Sequence, residues 1–252
     1  WVYCRGEIKS KVLPYNQKEE NDTMWKAVLF DLDGTLADTL KSLHYCTNRS
    51  LEYCGLAGHP MEAYKTMVGD GAAKLLERAL IAAGDTQLKN MEKITAKYKE
   101  VFAKDCMYEV KPYDGIPELL DTLKERGIKI AVLSNKPHAQ TINVVETLFG
   151  KGYFDHVQGQ QEGIRRKPYP DGALAIAAEF GIEPADCLYL GDTNTDMQTG
   201  NAAGMHTVGV TWGFRDREEL EAFKPKYIIS HPDEIRSLFN ETSENSPAFA
   251  GE

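Results

Sequence analysis

Three apolar runs of the chain are each followed at once by polar side chains that could act together in chemistry. These side chains are Asp31, Asp33, Ser134, Asp192 and Asp196. In an open parallel sheet, ligands bind in the crevice at the carboxyl ends of the strands. If the three runs are neighbouring strands, the polar side chains are therefore predicted to meet in one small volume.

Four carboxylates in one place repel each other, and without compensation some would be forced to take up protons. A hard divalent cation bound by oxygen ligands resolves this conflict, and Mg²⁺ is the obvious candidate. Magnesium combined with carboxylates, hydroxyl donors and a basic residue is typical of phosphate chemistry. The candidate basic residue is Lys167, in the segment Arg165-Arg166-Lys167-Pro168.

The apolar runs are short and nearly continuous, as in parallel strands that are covered on both faces. The predicted strands are 27–30, 128–133, 187–190, 207–210 and 227–229. Helical patterns lie between them. One begins near Asp114, a candidate N-cap, and stops at Gly127, while another spans 171–180. This alternation predicts an α/β fold with a doubly wound, Rossmann-like parallel sheet.

One region breaks the alternation, because no strand pattern occurs from about residue 39 to residue 110. Its periodicity predicts helices near 43–53, 72–83 and 91–102, which together would form an inserted, all-helical cap domain. Hinges are expected near Thr39 and Pro112.

The division into domains follows from this pattern. The catalytic core is predicted to comprise residues 24–39 and 111–240, and the cap residues 40–110. Residues 1–23 are predicted to be a tail outside the fold, with Met24 as the natural start, and residues 241–252 a polar C-terminal tail.

Four segments of the sequence resemble the motifs of a known family. The strings DLDGTLADT, LSNKP, RRKPYPDG and LGDTNTD occur in this order. Together they resemble the motifs of the haloacid dehalogenase-like hydrolase superfamily, and within it the phosphoglycolate phosphatase group. The resemblance extends from about residue 25 to residue 240.

The resemblance implies a role for each matching residue. Asp31 is expected to be the nucleophile that becomes an aspartyl-phosphate, and Asp33 the general acid and base. The residues expected to bind phosphate are Thr35, Ser134, Asn135 and Lys167. Those expected to bind Mg²⁺ are Asp31 by its side chain, Asp33 by its backbone carbonyl, and Asp192. Asp196 is expected to support the site, through a metal-bound water or by orienting Lys167, although it could simply cap a helix that runs to Ala203.

The implied function is a magnesium-dependent phosphatase acting on a small phosphate monoester such as phosphoglycolate. A phosphomutase, pyrophosphatase, sugar-phosphate phosphatase or nucleotidase would use the same residues and remains open. A phosphate-binding protein without catalysis would show decay of a catalytic position, and none is visible. Dehalogenases and phosphonate hydrolases of the superfamily lack an aspartate at the position of Asp33, which disfavours both.

The cap is expected to set specificity and to gate access to the site. The contributing residues would be Lys41, His44 and the loop from Gly69 to Lys74. The expected partner is a small phosphorylated metabolite, and the chain is expected to be a monomer or homodimer.

Composition narrows the function further. The chain is 42% hydrophobic and 27% charged, as in globular proteins, and its net charge of −9 makes nucleic acid an unfavourable partner. No apolar run is long enough to span a membrane, and no secretory signal is visible. The 5 cysteines form no Cys-x-x-Cys pair, which favours a reducing, cytoplasmic location without disulfides or zinc.

Overall fold

The computed structural model describes residues 25–239, and its centre is a six-stranded parallel sheet. The strands are β1 Ala27–Phe30, β2 Ala37–Asp38, β3 Lys111–Pro112, β4 Lys129–Pro137, β5 His156–Gln160, β6 Cys187–Gly191, β7 His206–Val210 and β8 Tyr227–Ile229. The order in the large sheet is β5-β4-β1-β6-β7-β8. The strand order reverses next to β1, so the carboxyl ends of β4, β1 and β6 lie side by side at the position where ligands bind in such sheets.

Helices of the core cover both faces of this sheet, and the first four described helices belong to the insertion between β2 and β3. In chain order, the helices are α1 Leu40–Tyr53, α2 Met61–Met67, α3 Ala72–Ala82, α4 Met91–Asp105, α5 Ile116–Glu125, α6 His138–Phe149, α7 Asp171–Phe180, α8 Asn194–Ala203, α9 Arg217–Ala222 and α10 Glu234–Leu238. None of these described helices has the length and apolar character that crossing a membrane requires.

The alternation of side chains along the strands builds two separate apolar layers. In β1, Val28 and Phe30 join a cluster with residues of α5, α6 and α10, whereas Ala27 and Leu29 join a cluster with α7. Successive side chains of a strand point to opposite faces, so a continuous apolar run fits a strand that is covered on both sides. The predicted doubly wound α/β fold is confirmed.

The helices α1 to α4 occupy the segment in which no strand was predicted, and their apolar side chains form a cluster distinct from those of the sheet, which Phe214 of the core also joins. The chain leaves the core after β2 and returns through β3. These two short strands pair antiparallel, with Ala37 opposite Pro112 and Asp38 opposite Lys111. The points of entry and exit therefore lie side by side, next to the predicted hinge positions.

Several details differ from the sequence-based expectations. Helix α5 is preceded by Gly115 in a left-handed conformation, with φ of 82°, and not capped by Asp114, because the turn before the helix requires a positive φ that glycine adopts without strain. Strand β4 continues beyond residue 133 to Pro137, with an irregular register against β5. The predicted tails, the proposed start at Met24 and Cys4 lie outside the described residues.

Candidate active site

Three buried carboxylates lie together at the carboxyl ends of β1 and β6. Asp31 directly follows β1, Asp192 directly follows β6, and Asp196 lies in the first turn of α8. One oxygen of each lies within 4.8 Å of the others. Because β1 and β6 are parallel neighbours, their ends carry these side chains to the same edge of the sheet.

Asp192 is held by two donors that the fold places around it. The Thr35 hydroxyl donates to its Oδ1 at 3.2 Å, and the backbone N–H of Phe214 donates to its Oδ2 at 2.7 Å. Gly213 allows this close approach, since a Cβ there would overlap the Cβ of Asp192. Burial, and next to it the charges of Asp196 and Asp31, raise the pKa of Asp192 well above its ordinary value.

Lys167 reaches into this acidic cluster from the loop before α7. Its Nζ lies 2.8 Å from Asp31 Oδ1 and 2.7 Å from Asp196 Oδ1. Burial raises the pKa of Asp31 to about 7, although Lys167 acts to lower it. Burial alone would lower the pKa of Lys167, but Asp196 and Asp31 raise it well above the usual range. The lysine is thus a permanent positive charge beside the predicted nucleophile.

Asp196 combines the two roles that the sequence left open. Its Oδ2 accepts from the backbone N–H of Thr193 at 3.1 Å and from the Thr193 hydroxyl at 2.6 Å, which completes a capping box at the start of α8. Its other oxygen accepts from Lys167 at 2.7 Å. The same carboxylate therefore caps the helix and fixes the lysine beside Asp31.

A second buried lysine, Lys136, forms an ion pair with Asp33 that the sequence analysis did not anticipate. Its Nζ lies 2.7 Å from Asp33 Oδ1 and 3.0 Å from Oδ2, and its side chain is 2% exposed. The signal was present in the string LSNKP, in which Lys136 follows Ser134 and Asn135 at the end of β4. Asp33 is not a member of the acidic cluster among the described residues, and its carboxylate pairs with Lys136, so the predicted metal ligand is still its backbone carbonyl.

The predicted phosphate-binding residues divide between two positions. Ser134 and Asn135 line a cavity above Asp31 and Asp33. The Asn135 amide donates to the backbone oxygens of Gly69 at 3.2 Å and Lys167 at 3.1 Å, so it joins the lysine loop to the insertion. Thr35 is fully buried and does not line this cavity. Its hydroxyl donates to Asp192 and thereby positions that carboxylate, while a contact of Thr35 with phosphate stays a prediction.

The cavity lies between the strand ends and the helical insertion. The space between its lining atoms is about 470 Å³, a volume that includes open solvent. The lining residues are Asp31, Asp33, Leu43, Val68, Gly69, Gly71, Ala72, Leu75, Tyr98, Phe102, Ser134, Asn135, Lys136 and Pro137. Both acids of the first motif thus line the space between the strand ends and the insertion.

Of the residues expected to set specificity, Gly69, Gly71 and Ala72 of the predicted loop line this cavity, whereas Lys41, His44 and Lys74 do not. Lys41 is exposed and pairs with Glu109 at 2.5 Å. His44 Nε2 lies 3.2 Å from the backbone oxygen of His59, within the insertion. Lys74 pairs with Glu77 at 2.8 Å along α3. Each of these three side chains is bound to a neighbour in the insertion and does not face the acids.

The insertion touches the core through the loop that follows α2. Arg215, in the core, donates to the backbone oxygen of Val68 at 2.9 Å and also to that of Lys65. The Thr195 hydroxyl donates to Asp70 Oδ1 at 2.9 Å. These contacts hold the loop that carries Gly69 and Gly71 against the strand ends.

The chemistry of the acidic cluster fits a hard divalent cation. Its potential ligands Asp31, Asp192 and Asp196 offer only carboxylate oxygens, and all three residues are buried. Hard cations such as Mg²⁺ and Ca²⁺ bind oxygen ligands of this kind. A cation would also favour the charged forms of Asp31 and Asp192, whose pKa values are raised by burial and, next to it, by the neighbouring carboxylates.

Comparisons with known proteins identify the family of the chain. The family model of the haloacid dehalogenase-like hydrolases matches residues 28–210. A protein of Aquifex aeolicus named phosphoglycolate phosphatase is 32% identical over 219 residues, covering 85% of this chain and 97% of its own length. One of Haemophilus influenzae with the same name is 30% identical over 223 residues, covering 86% of this chain and 99% of its own.

Among solved structures, a protein of Lactobacillus delbrueckii subsp. bulgaricus that is provisionally assigned as a phosphoglycolate phosphatase superposes with a TM-score of 0.80. It is 30% identical and covers 86% of this chain and 99% of its own. The chain therefore belongs to the haloacid dehalogenase-like hydrolases. Its relatives further define it as an enzyme of the phosphoric monoester hydrolase class, as the sequence predicted.

Proposed function

We propose that this enzyme is a Mg²⁺-dependent phosphatase that hydrolyses a small phosphate monoester, 2-phosphoglycolate or a close analogue, through an aspartyl-phosphate at Asp31. The observation that carries the proposal is the contact between Asp31 and Lys167, at 2.8 Å, beside a cavity that Asp33 also lines. The relatives named phosphoglycolate phosphatase support the choice of substrate.

In the first half of the reaction, an oxygen of Asp31 attacks phosphorus and the bond from phosphorus to the ester oxygen breaks. Asp33 gives a proton to that oxygen, which leaves as an alcohol. Carboxylates are weak nucleophiles towards a phosphate dianion, so the repulsion must be reduced before attack. Lys167 supplies one positive charge at Asp31, and Ser134 and Asn135 face the transferring phosphoryl group.

In the second half, Asp33 takes a proton from water, whose oxygen attacks phosphorus. The bond from phosphorus to Asp31 breaks, inorganic phosphate leaves and the carboxylate is restored. A Mg²⁺ ion held by Asp31, Asp192 and the backbone of Asp33 would offset negative charge on the phosphoryl oxygens. Asp196 keeps Lys167 in place through both halves.

The proposal includes the domain division, with residues 40–110 as a cap over a core of residues 24–39 and 111–240. The separate apolar cluster of α1 to α4 and the paired strands β2 and β3 support it. The free thiols of Cys46, Cys54, Cys106 and Cys187 support the proposed cytoplasmic location, where disulfides are rare.

The test is release of inorganic phosphate from 2-phosphoglycolate and from a panel of other small phosphate esters, with Mg²⁺ and with EDTA. Asp31→Asn is the control, because its amide cannot form the acyl phosphate. Release that requires Mg²⁺ and Asp31 is expected. Absence of release from every ester, with Mg²⁺ and with other divalent ions, would contradict the proposal.

A further inference from the structure

The insertion gives the cavity an apolar wall. The side chains that it contributes are Leu43, Val68, Ala72, Leu75, Tyr98 and Phe102. Gly69 and Gly71 add only backbone. No charged side chain of the insertion is among the described residues that line the cavity, so this wall offers no counter-charge to a substrate.

The one cationic side chain on the cavity lining, within the described part of the chain, is Lys136. It belongs to the core, two residues after Ser134 at the end of β4. Its Nζ lies 4.9 Å from the ring centroid of Phe102, so the apolar wall extends over the ammonium group. With the side chain only 2% exposed, its attraction to an anion is screened far less than at the surface.

Asp33 is the present partner of this ammonium group, at 2.7 and 3.0 Å. In the proposed reaction, Asp33 must instead reach the ester oxygen, which draws its carboxylate away from Lys136. A buried charge that loses its partner is strongly unfavourable. An anionic group on the substrate, a few atoms from the ester oxygen, would take the vacated position beside the lysine.

We propose that Lys136 is the specificity-determining residue of this enzyme and that it selects phosphate esters whose leaving group carries a carboxylate. This inference rests on the proposed function. It places the selection of charge in the core, whereas the insertion restricts the size and polarity of the leaving group.

The test compares two esters that differ only in charge, 2-phosphoglycolate and its neutral amide, 2-phosphoglycolamide. The wild-type enzyme is expected to have the higher kcat/KM for the acid. Lys136→Met is expected to reduce the ratio of the two kcat/KM values by about 10- to 100-fold, the effect of one lost hydrogen bond between charged groups. Lys136→Arg, which keeps the charge, is expected to retain most of the preference.

Lys74→Met is the matched control, because this lysine was a specificity candidate from the sequence but pairs with Glu77 outside the cavity. Its ratio should equal that of the wild type. If Lys136→Met lowers both kcat/KM values equally, Lys136 only positions Asp33 and the inference is wrong. A wild-type enzyme that hydrolyses both esters equally well also overturns it, even if the methionine variant does not fold. Failure to hydrolyse any ester would instead reject the proposed function.

Discussion

Replacing Lys167 by methionine removes the positive charge at the centre of the acidic cluster while keeping most of the side-chain volume. In the wild type, this ammonium contacts Asp31 at 2.8 Å and Asp196 at 2.7 Å, and its side chain is 3% exposed. Without it, three buried carboxylates would remain within 4.8 Å of one another.

Breaking a buried ion pair by removing one partner costs about 3–5 kcal/mol, because a charge is left buried and unpaired. We therefore expect the free energy of unfolding of Lys167→Met in EDTA to fall by about that amount. Urea denaturation followed by circular dichroism measures it. Added Mg²⁺ is expected to restore part of the loss, because an ion that binds only the folded state stabilises it and would supply the missing positive charge.

Lys129→Met is the matched control. Lys129 also forms a short ion pair, 2.6 Å from Asp155, but its side chain is 50% exposed. Exposed pairs contribute about 0–1 kcal/mol, so this variant should unfold almost as the wild type does. If Lys167→Met in EDTA loses no more stability than Lys129→Met, the acidic cluster does not depend on the lysine and the electrostatic account of the site is wrong.

Three further predictions concern pH, catalysis and the insertion. Burial raises the pKa of Asp31 from 3.8 to about 7, so in EDTA the folded protein retains a proton that the unfolded chain has released. Between these pH values, the free energy of unfolding should decrease with rising pH more steeply in the wild type than in Asp31→Asn, as measured by urea denaturation at several pH values. An equal dependence on pH in both proteins would refute this. Asp33→Asn should reduce kcat about 10²–10⁴-fold, and it should also destabilise the fold because Lys136 is left unpaired. Adding Lys136→Met to this variant should recover the stability but not kcat. Recovery of both would exclude catalysis by Asp33. Arg215→Ala removes the donors to the backbone oxygens of Lys65 and Val68, so amide hydrogen exchange of residues 65–71 should become faster by about tenfold or more. Unchanged exchange would show that this arginine does not hold the loop.

The sheet was predictable from the sequence because its central strands are buried on both faces. The apolar runs at β1, β6 and β7 coincide with the observed strands to within one residue. Strand β5, with the sequence HVQGQ, was missed because it lies at the sheet edge, where burial does not require a continuous apolar run. Helix α2 was missed because seven residues are too few to show a helical period.

The acidic cluster was predictable for a related reason, since each of its residues directly follows a strand or begins a helix. The contact between Lys136 and Asp33 joins residues 103 positions apart, and no local pattern in the sequence encodes such a pairing. The contacts of Lys41, His44 and Lys74 depend equally on how the helices of the insertion pack. These three were expected near the site because they belong to the predicted cap, but the sequence could not show which way their side chains point.

The central claim is that Asp31 takes up the phosphoryl group, and trapping that group tests it most directly. The enzyme would be mixed with Mg²⁺ and 2-phosphoglycolate labelled in the phosphoryl group, quenched in acid within one turnover, and mapped by peptide mass spectrometry. The account predicts label on Asp31 that hydroxylamine removes, and none in Asp31→Asn. Label on Ser134, or turnover without any labelled enzyme, would contradict it.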